Sequence, residues 1–350
     1  MRYVRFATGV AVGLIFAAAP AFAQSAEDAA AWLNQIGVHN RGKPFDADAV
    51  RSTNVFSFAG LYPEKLKAAD IAKLSAMSEL SDLFVNGWVF GEDSIVAIAQ
   101  LRNPKLRSID LTNTRTTDAT LAAFANHPTL ESLNLSSTKI TAEGLRVVAK
   151  IENLLFLSVD NTEIGDAGLE ILVDAPKLKS LNLGEFKRIS RRGWAAIGRM
   201  QHLEVLTAHG WIGEQIEELA AAPKLNTLLA GNPLFMDAGG MQLGKLKRLR
   251  NLVLRRAKIT DASMPAIGSL PALETLDLGG TPITDAGVRH FANAKKLASL
   301  ALDGTHIGDE GLLELAEIKT LKTLYVRGTR VTAEGIGRFK ALLPTAEILR

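Results

Sequence analysis

The spacing L-x-x-L-x-L returns at a nearly constant interval through most of this chain. In one-letter code, LESLNL starts at Leu130, LKSLNL at Leu178, LRNLVL at Leu249, LETLDL at Leu273 and LASLAL at Leu297. The interval is roughly 24 residues, and a fixed period in the twenties belongs to stacked-repeat architectures. One such unit has nothing against which to bury its apolar side, so neighbours must stack into a continuous core. The leading leucines run Leu80, Leu106, Leu130, Leu154, Leu178, Leu203, Leu225, Leu249, Leu273, Leu297 and Leu321, in nearly equal steps. Thr53, Phe56 and Phe58 keep the spacing upstream, so a degenerate first unit starts near Thr53. Ala346 and Ile348, after Pro344, read as a closing strand.

Each unit carries its own local signals. The alternation in L-x-L makes a short strand with one face inward. A turn follows, T-x-I-T-D-A-G-L in the clearest copies. Thr260 and Thr284 are placed to cap a helix through their hydroxyls, and Asp261 and Asp285 sit in its first turn, where the helix dipole favours negative charge. Leu169 and Leu172 return at helical spacing, and breaks such as Ala175-Pro176-Lys177 re-enter the next strand. Strand, helix and parallel strand connect by right-handed crossovers. Strands lie about 4.8 Å apart and helices roughly 10 Å, so the helical layer must lie outside a bend. The expected fold is an α/β right-handed β-α solenoid, a horseshoe with parallel strands on the concave face and helices on the convex face.

Over residues 53–350, about 11–12 repeats, the chain resembles the leucine-rich repeat family, in its ribonuclease-inhibitor-like, helix-backed bacterial subclass. The resemblance implies protein binding through the concave face. One departure is the column after the strand. There the family often carries an asparagine ladder, whereas this chain has Thr114, Thr138, Thr162, Thr281, Thr305 and Thr329. Their hydroxyls could satisfy loop backbone groups, though less completely than an amide.

The ends read differently. Arg2 and Arg5, an apolar run from Phe6 to about Phe22, and Ala21-Phe22-Ala23 before Gln24 form a secretory signal peptide over residues 1–23. The run is short for a membrane anchor. Residues 24–52 fall outside the repeat, and Ser25 with Asp28 opens a helix carrying Trp32, Leu33 and Ile36. A solenoid end exposes apolar core and needs a cap, which is the reading for this segment, with a separate docking helix as the alternative. Cleavage and the lack of a later span place the mature protein in the periplasm or outside the cell. The chain has no cysteine, which excludes disulfides, thiolate metal sites and cysteine nucleophiles. Lys plus Arg number 40 against 37 Asp plus Glu, too small an excess for nucleic acid as a partner.

The threonine column fails in four consecutive units, at Phe186, Trp211, Pro233 and Ala257. Lys187, Arg188, Arg191, Arg192, Arg255, Arg256 and Lys258 gather around the failure, with Phe235 among them. Outward strand positions are mostly small and polar but turn apolar at Val205, Leu229 and Val253, and His209 follows a strand there. Aromatics and arginines are favoured interface anchors. The expected partner site is therefore Phe186, Val205, His209, Trp211, Leu229, Phe235, Val253, Arg255 and Arg256. The alternative is that the aromatics fill space left by altered loops and the charges are solvated. No catalytic, cofactor or metal site is expected. The six histidines show no ligand spacing, and there is no phosphate loop or nucleophile elbow. The expected function is a non-enzymatic module for a protein or peptide, with an anionic envelope polysaccharide as the alternative. Nothing in the sequence sets the oligomeric state.

Overall fold

The computed structural model describes residues 25–38, 43–58, 68–85, 87, 90–186, 189–210 and 213–350. The leader expected over 1–23 lies outside them, as do Lys187, Arg188 and Trp211. Among the described residues one all-parallel sheet runs in sequence order. Its strands are Val55–Ser57 (β1), Asp82–Phe84 (β2), Ser108–Asp110 (β3), Ser132–Asn134 (β4), Phe156–Ser158 (β5), Ser180–Asn182 (β6), Val205–Thr207 (β7), Thr227–Leu229 (β8), Asn251–Val253 (β9), Thr275–Asp277 (β10), Ser299–Ala301 (β11), Thr323–Tyr325 (β12) and Glu347–Leu349 (β13). The expected first and closing strands are β1 and β13. Every strand pairs with its neighbour in direct register, Leu252 opposite Leu276 and Leu276 opposite Leu300, for example.

That register stacks the leucines in columns. The leading leucines and the mid-strand residues Leu133, Leu181, Leu252 and Leu300 are all buried. Burying one leucine side chain contributes about 1.5–3 kcal/mol, and each rests on copies of itself before and after. The convex layer is mixed: some units carry α-helix, such as Arg191–Gly198, and others 3-10 turns, such as Glu214–Ala221. So short a unit leaves little chain for a helix once its strand and turns are made.

The threonine column does close the turns. Hydroxyls of Thr114, Thr138, Thr162, Thr281, Thr305 and Thr329 donate to the carbonyl three residues back at 2.6–2.7 Å. The residue before the threonine is left-handed in these turns, Gly280 at φ +73° and Gly304 at φ +67° among them, where glycine is free of Cβ strain.

A second inter-repeat tie sits on the helix side. Thr260 and Thr284 cap their own helix starts as expected. Each also donates backward: the Thr284 N–H reaches Asp261 Oδ1 at 2.9 Å and its hydroxyl reaches Asp261 Oδ2 at 2.5 Å. The same pair of bonds joins Thr141 to Asp118, Ser190 to Asp166, Thr260 to Asp237 and Thr332 to Asp309. The Asp309 carboxyl is held below its ordinary range by the Thr332 hydroxyl first and by the Thr332 N–H second. The glycine of D-A-G makes room, since a Cβ at Gly287 would collide with Asp261 and one at Gly311 with Asp285.

At the N-terminal end lie helices Ala26–Gln35 (α1) and Ala47–Ser52 (α2). Ser25 accepts from the Asp28 N–H at 3.0 Å. Trp32 and Leu33 are buried in the shared core and Ile36 partly so. The Trp32 ring meets Phe58 edge-on at 6.5 Å, and Lys73 Nζ lies over the ring at 5.6 Å.

Two expectations follow. Gly287→Ala should destabilise by about 1–3 kcal/mol through overpacking, and much less where Asp261→Ala has removed the obstacle. A double-mutant cycle in urea reads this coupling, and additive effects would contradict the tie. Separately, His127 is buried before β4. Burial, then the nearby Arg102 charge, pushes its imidazole down to about 4, partly offset by the Leu101 carbonyl. The unfolded chain, titrating near 6.5, then binds the proton more readily than the fold. Stability is full above about pH 6.5 and is lost as pH falls toward 4, by about 2 kcal/mol between about pH 7 and pH 5. His127→Asn should remove that slope in urea melts at the two pH values.

Candidate functional site

The concave face is built from the two outward positions of each strand. At the second of these positions four polar side chains are committed to the turns. Asp110, Asn134, Asn182 and Asp277 each accept, through Oδ1, the backbone N–H two residues on, at 2.8–3.0 Å. They also join sideways: Asn182 donates to Ser158 Oγ at 2.9 Å, and Ser158 and Ser136 hydroxyls lie 2.8 Å apart. Leu229 and Val253 occupy this column without any such acceptor and are half-buried. Val205 is half-buried in the column before it, two strands from Phe156, which is 49% exposed. Phe156 is the aromatic that sequence reasoning passed over. Its serine neighbours in the same column, Ser132 and Ser180, mark it as the exception.

Beyond the strand ends, the irregular turns enclose a groove of about 660 Å³. Phe186, His209, Pro233 and Leu234 line it, with the carboxylates Asp160 and Glu185. Phe186 packs edge-on against Trp194 at 5.6 Å and covers Gly210, where a Cβ would strike its ring. The His209 N–H donates to the Gly184 carbonyl at 2.7 Å, and its ring Nδ1 is buried without a partner among the described residues.

The expected site residues thus divide. Phe186 and His209 share the groove, and Val205, Leu229 and Val253 lie on the adjoining sheet face. Trp211 is outside the described residues. Phe235 is not an exposed anchor: it is fully buried. Aligned on D-A-G, Phe235 falls where Ile259 and Ile283 fall, and Ala230 replaces the leucine of its unit, so a larger ring is accommodated. Arg255 is exposed but not free. Its guanidinium reaches Asp277 at 3.0 Å and Asp303 at 3.7 Å, through space that Gly279 leaves open. The expected basic gathering also disperses. Arg191 pairs with Glu217 and Glu218, and Arg192 with Glu170, all on the helix side. Among the described residues the acidic side chains lining the groove are Asp160 and Glu185.

Among the described residues no group of three or more His, Asp or Glu is placed to hold a metal ion, and no helix is long and apolar enough to cross a membrane.

A family model described as Leucine Rich repeat matches residues 126–149, 270–292 and 293–316. Among solved structures, the chain is similar to an internalin of Listeria monocytogenes, with 18% identity over 93% of this chain and 94% of that one and a TM-score of 0.55. It is also similar to a leucine-rich repeat protein of Leptospira interrogans, at 18% identity over 91% of this chain and 97% of that one, TM-score 0.31. A chain of the Toll–Spätzle complex of Drosophila matches at 17% identity over 75% of this chain and 34% of that one, TM-score 0.48. No curated protein matches in sequence. The likeness to the internalin is one of fold.

Arg256 stands in the left-handed position, φ +61°, that Gly280, Gly304 and Gly328 fill in the next three units. A non-glycine residue there costs about 1–2 kcal/mol, and glycine's extra unfolded-state freedom returns part of it. Arg256→Gly should therefore raise stability by about 0.5–1 kcal/mol in urea melts. A loss of stability would show that the arginine side chain holds the turn.

Proposed function

The chain belongs to the leucine-rich repeat family, a fold typically used for protein–protein interaction, and we propose that it is an exported, non-enzymatic binding protein. In this reading residues 1–23 are a secretory leader cut between Ala23 and Gln24, residues 24–52 cap the solenoid, and the mature chain works in the periplasm or outside the cell. The site is the concave face from β5 to β9 with the adjoining groove. One observation carries it: the run of turn-capping Asp and Asn side chains gives way to Leu229 and Val253, beside the groove of Phe186 and His209. Side chains released from holding a turn are available to a partner.

The partner's chemistry follows from the lining. Phe156, Val205, Leu229 and Val253 offer apolar contact, and Asp160 and Glu185 favour a cationic neighbour. Arg255, satisfied by two carboxylates, adds little attraction for an anion. A peptide segment with an apolar anchor beside a lysine or arginine fits better here than an anionic glycan. Phe156 opens β5 and Asp160 lies in the turn two residues past its end, so the two are separated by no more than about 14 Å, within the reach of such a segment.

Phe156→Asp with Leu229→Asp should reduce partner capture at least about tenfold with no loss of fold, because anchors at an interface centre dominate binding. The check is photo-crosslinking with the reactive group at position 156 or, as control, at Arg146 on the helix side. Crosslinked partners from 156 and none from 146 support the reading. Equal yields from both faces would sink it.

A further inference from the structure

Each strand is entered through a turn whose residues flank a buried leading leucine. Because neighbouring strands pair in direct register, residues at one offset in successive units line up along a single rim at the strand starts. In the first half of the solenoid most of this rim is balanced, Lys177 alone of its named cations reaching an amide, Asn153, and not a carboxylate. Lys105 pairs with Glu79, Arg107 with Glu131 and Lys179 with Glu204.

From Lys224 onward the balance fails. Lys247, Arg248, Lys295, Lys296 and Lys322 are exposed, and no carboxylate partner is found for them among the described residues. Two open grooves run along the stretch. One, of about 460 Å³, is lined by Lys224, Lys247, Arg248 and Arg250 with Asn226. The other, of about 740 Å³, is lined by Lys295, Lys296, Lys319 and Lys322 with Thr320 and Thr345. The two acids on these linings are already engaged, Glu204 by Lys179 and Glu274 by Arg250. On the helix side Arg191, Arg192 and Lys245 each find a glutamate. The chain as a whole carries only 40 basic against 37 acidic residues, so the rim is a local accumulation and not a consequence of net charge. Adjacent like charges repel, and that cost is relieved by a bound polyanion.

The form of the rim narrows the ligand. Cations stand in the units of Leu225, Leu249, Leu297 and Leu321, while the Leu273 unit between them carries Ala272 and Glu274. The rim thus offers two basic clusters separated by two strand spacings, about 10 Å, which a single extended polyanion can engage together. No aromatic side chain lines either groove, whereas single-stranded nucleic acids are held by aromatic stacking platforms. The donors present are ammonium, guanidinium, hydroxyl and amide groups, which match carboxylates and sugar hydroxyls. We propose that the rim from Lys224 to Lys322 binds a linear acidic polysaccharide of the uronate class, independently of the concave-face site.

The test uses the full chain with polygalacturonate as ligand and neutral dextran as control, followed by calorimetry. Polygalacturonate should bind and dextran should not, and affinity should fall at least about tenfold between about 50 mM and 500 mM salt. Charge reversal at Lys247, Arg248, Lys295 and Lys296 to glutamate should abolish binding. The same four positions changed to glutamine should weaken it at least about tenfold, and this variant serves if the reversal does not fold. Phe156→Asp with Leu229→Asp should bind polygalacturonate as the unmodified chain does, which separates this surface from the concave one. No binding at low salt, or binding unchanged in the glutamine variant, overturns the proposal. So does tighter binding to phosphatidylglycerol vesicles or to single-stranded DNA, either of which would assign the rim to that class instead.

Discussion

Stacking of identical apolar side chains across strand register is the interaction on which everything else here depends. No unit has a partner layer of its own. Leu252 is buried because Leu228 and Leu276 lie on either side of it, and the same holds at each step. Stability in such a molecule is a sum of nearest-neighbour terms. The ends are therefore where the scheme must be closed, and the ring cluster of Trp32, Phe56, Phe58 and Phe90 lies at one of them, with successive contacts of 4.9 to 6.5 Å.

The polar ties are subordinate to that stacking but fix its geometry. The threonine hydroxyls act within one unit, each closing a turn back to the carbonyl at its start. The aspartates act between units, each reaching a hydroxyl or N–H of the unit that follows. The two halves of the inter-unit tie mostly occur together. Asp118, Asp166, Asp237, Asp261 and Asp309 are followed by Thr141, Ser190, Thr260, Thr284 and Thr332, while Ala142, in the same place, is followed by a helix start with no side-chain cap. Asp285 is the intermediate case: Gly308 follows it, and only the N–H half of the tie remains, at 2.7 Å. The backbone bond thus needs the carboxylate alone, and the hydroxyl doubles it.

Much of the fold was legible because it is local and repeated. Period, strand alternation, threonine caps and the first and last strands can all be read along the chain. What escaped is what depends on proximity across units. The aspartates read as dipole partners of their own helices, since nothing in a single copy points to the next one. Arg255 read as an available cation because the two carboxylates that hold it belong to later units. Phe235 was misplaced for another reason. Counted from Leu225 it stands ten residues on, as Ile259 and Ile283 stand from Leu249 and Leu273, so the isoleucine column was open to view. Its place between Pro233 and Arg255 in the irregular stretch made it read as a loop anchor. Phe156 is visible in the sequence as the one aromatic among serines, but its exposure depends on the small side chains of the two neighbouring strands, which a single unit does not display.

The irregular units show how a repeat fold can vary one side without disturbing the other. Measured between leading leucines, the step from Leu178 to Leu203 is one residue longer than that from Leu154 to Leu178, and the step from Leu203 to Leu225 is two shorter. The strands nevertheless keep direct register, Ser180 opposite Val205, Val205 opposite Thr227, and Thr227 opposite Asn251. They must, because a slip of one residue would turn every leucine to the concave face. The added residue is absorbed after the strand, where Leu183 and Ile189 are one residue further apart than Leu135 and Ile140. The left-handed residue moves with it, from the place before the column to Gly184. The sheet thus acts as a fixed ruler against which loop length is free to differ. In this chain the units that change length are those of β6 and β7, and the concave side chains that hold no turn, Leu229 and Val253, belong to the two regular units that follow.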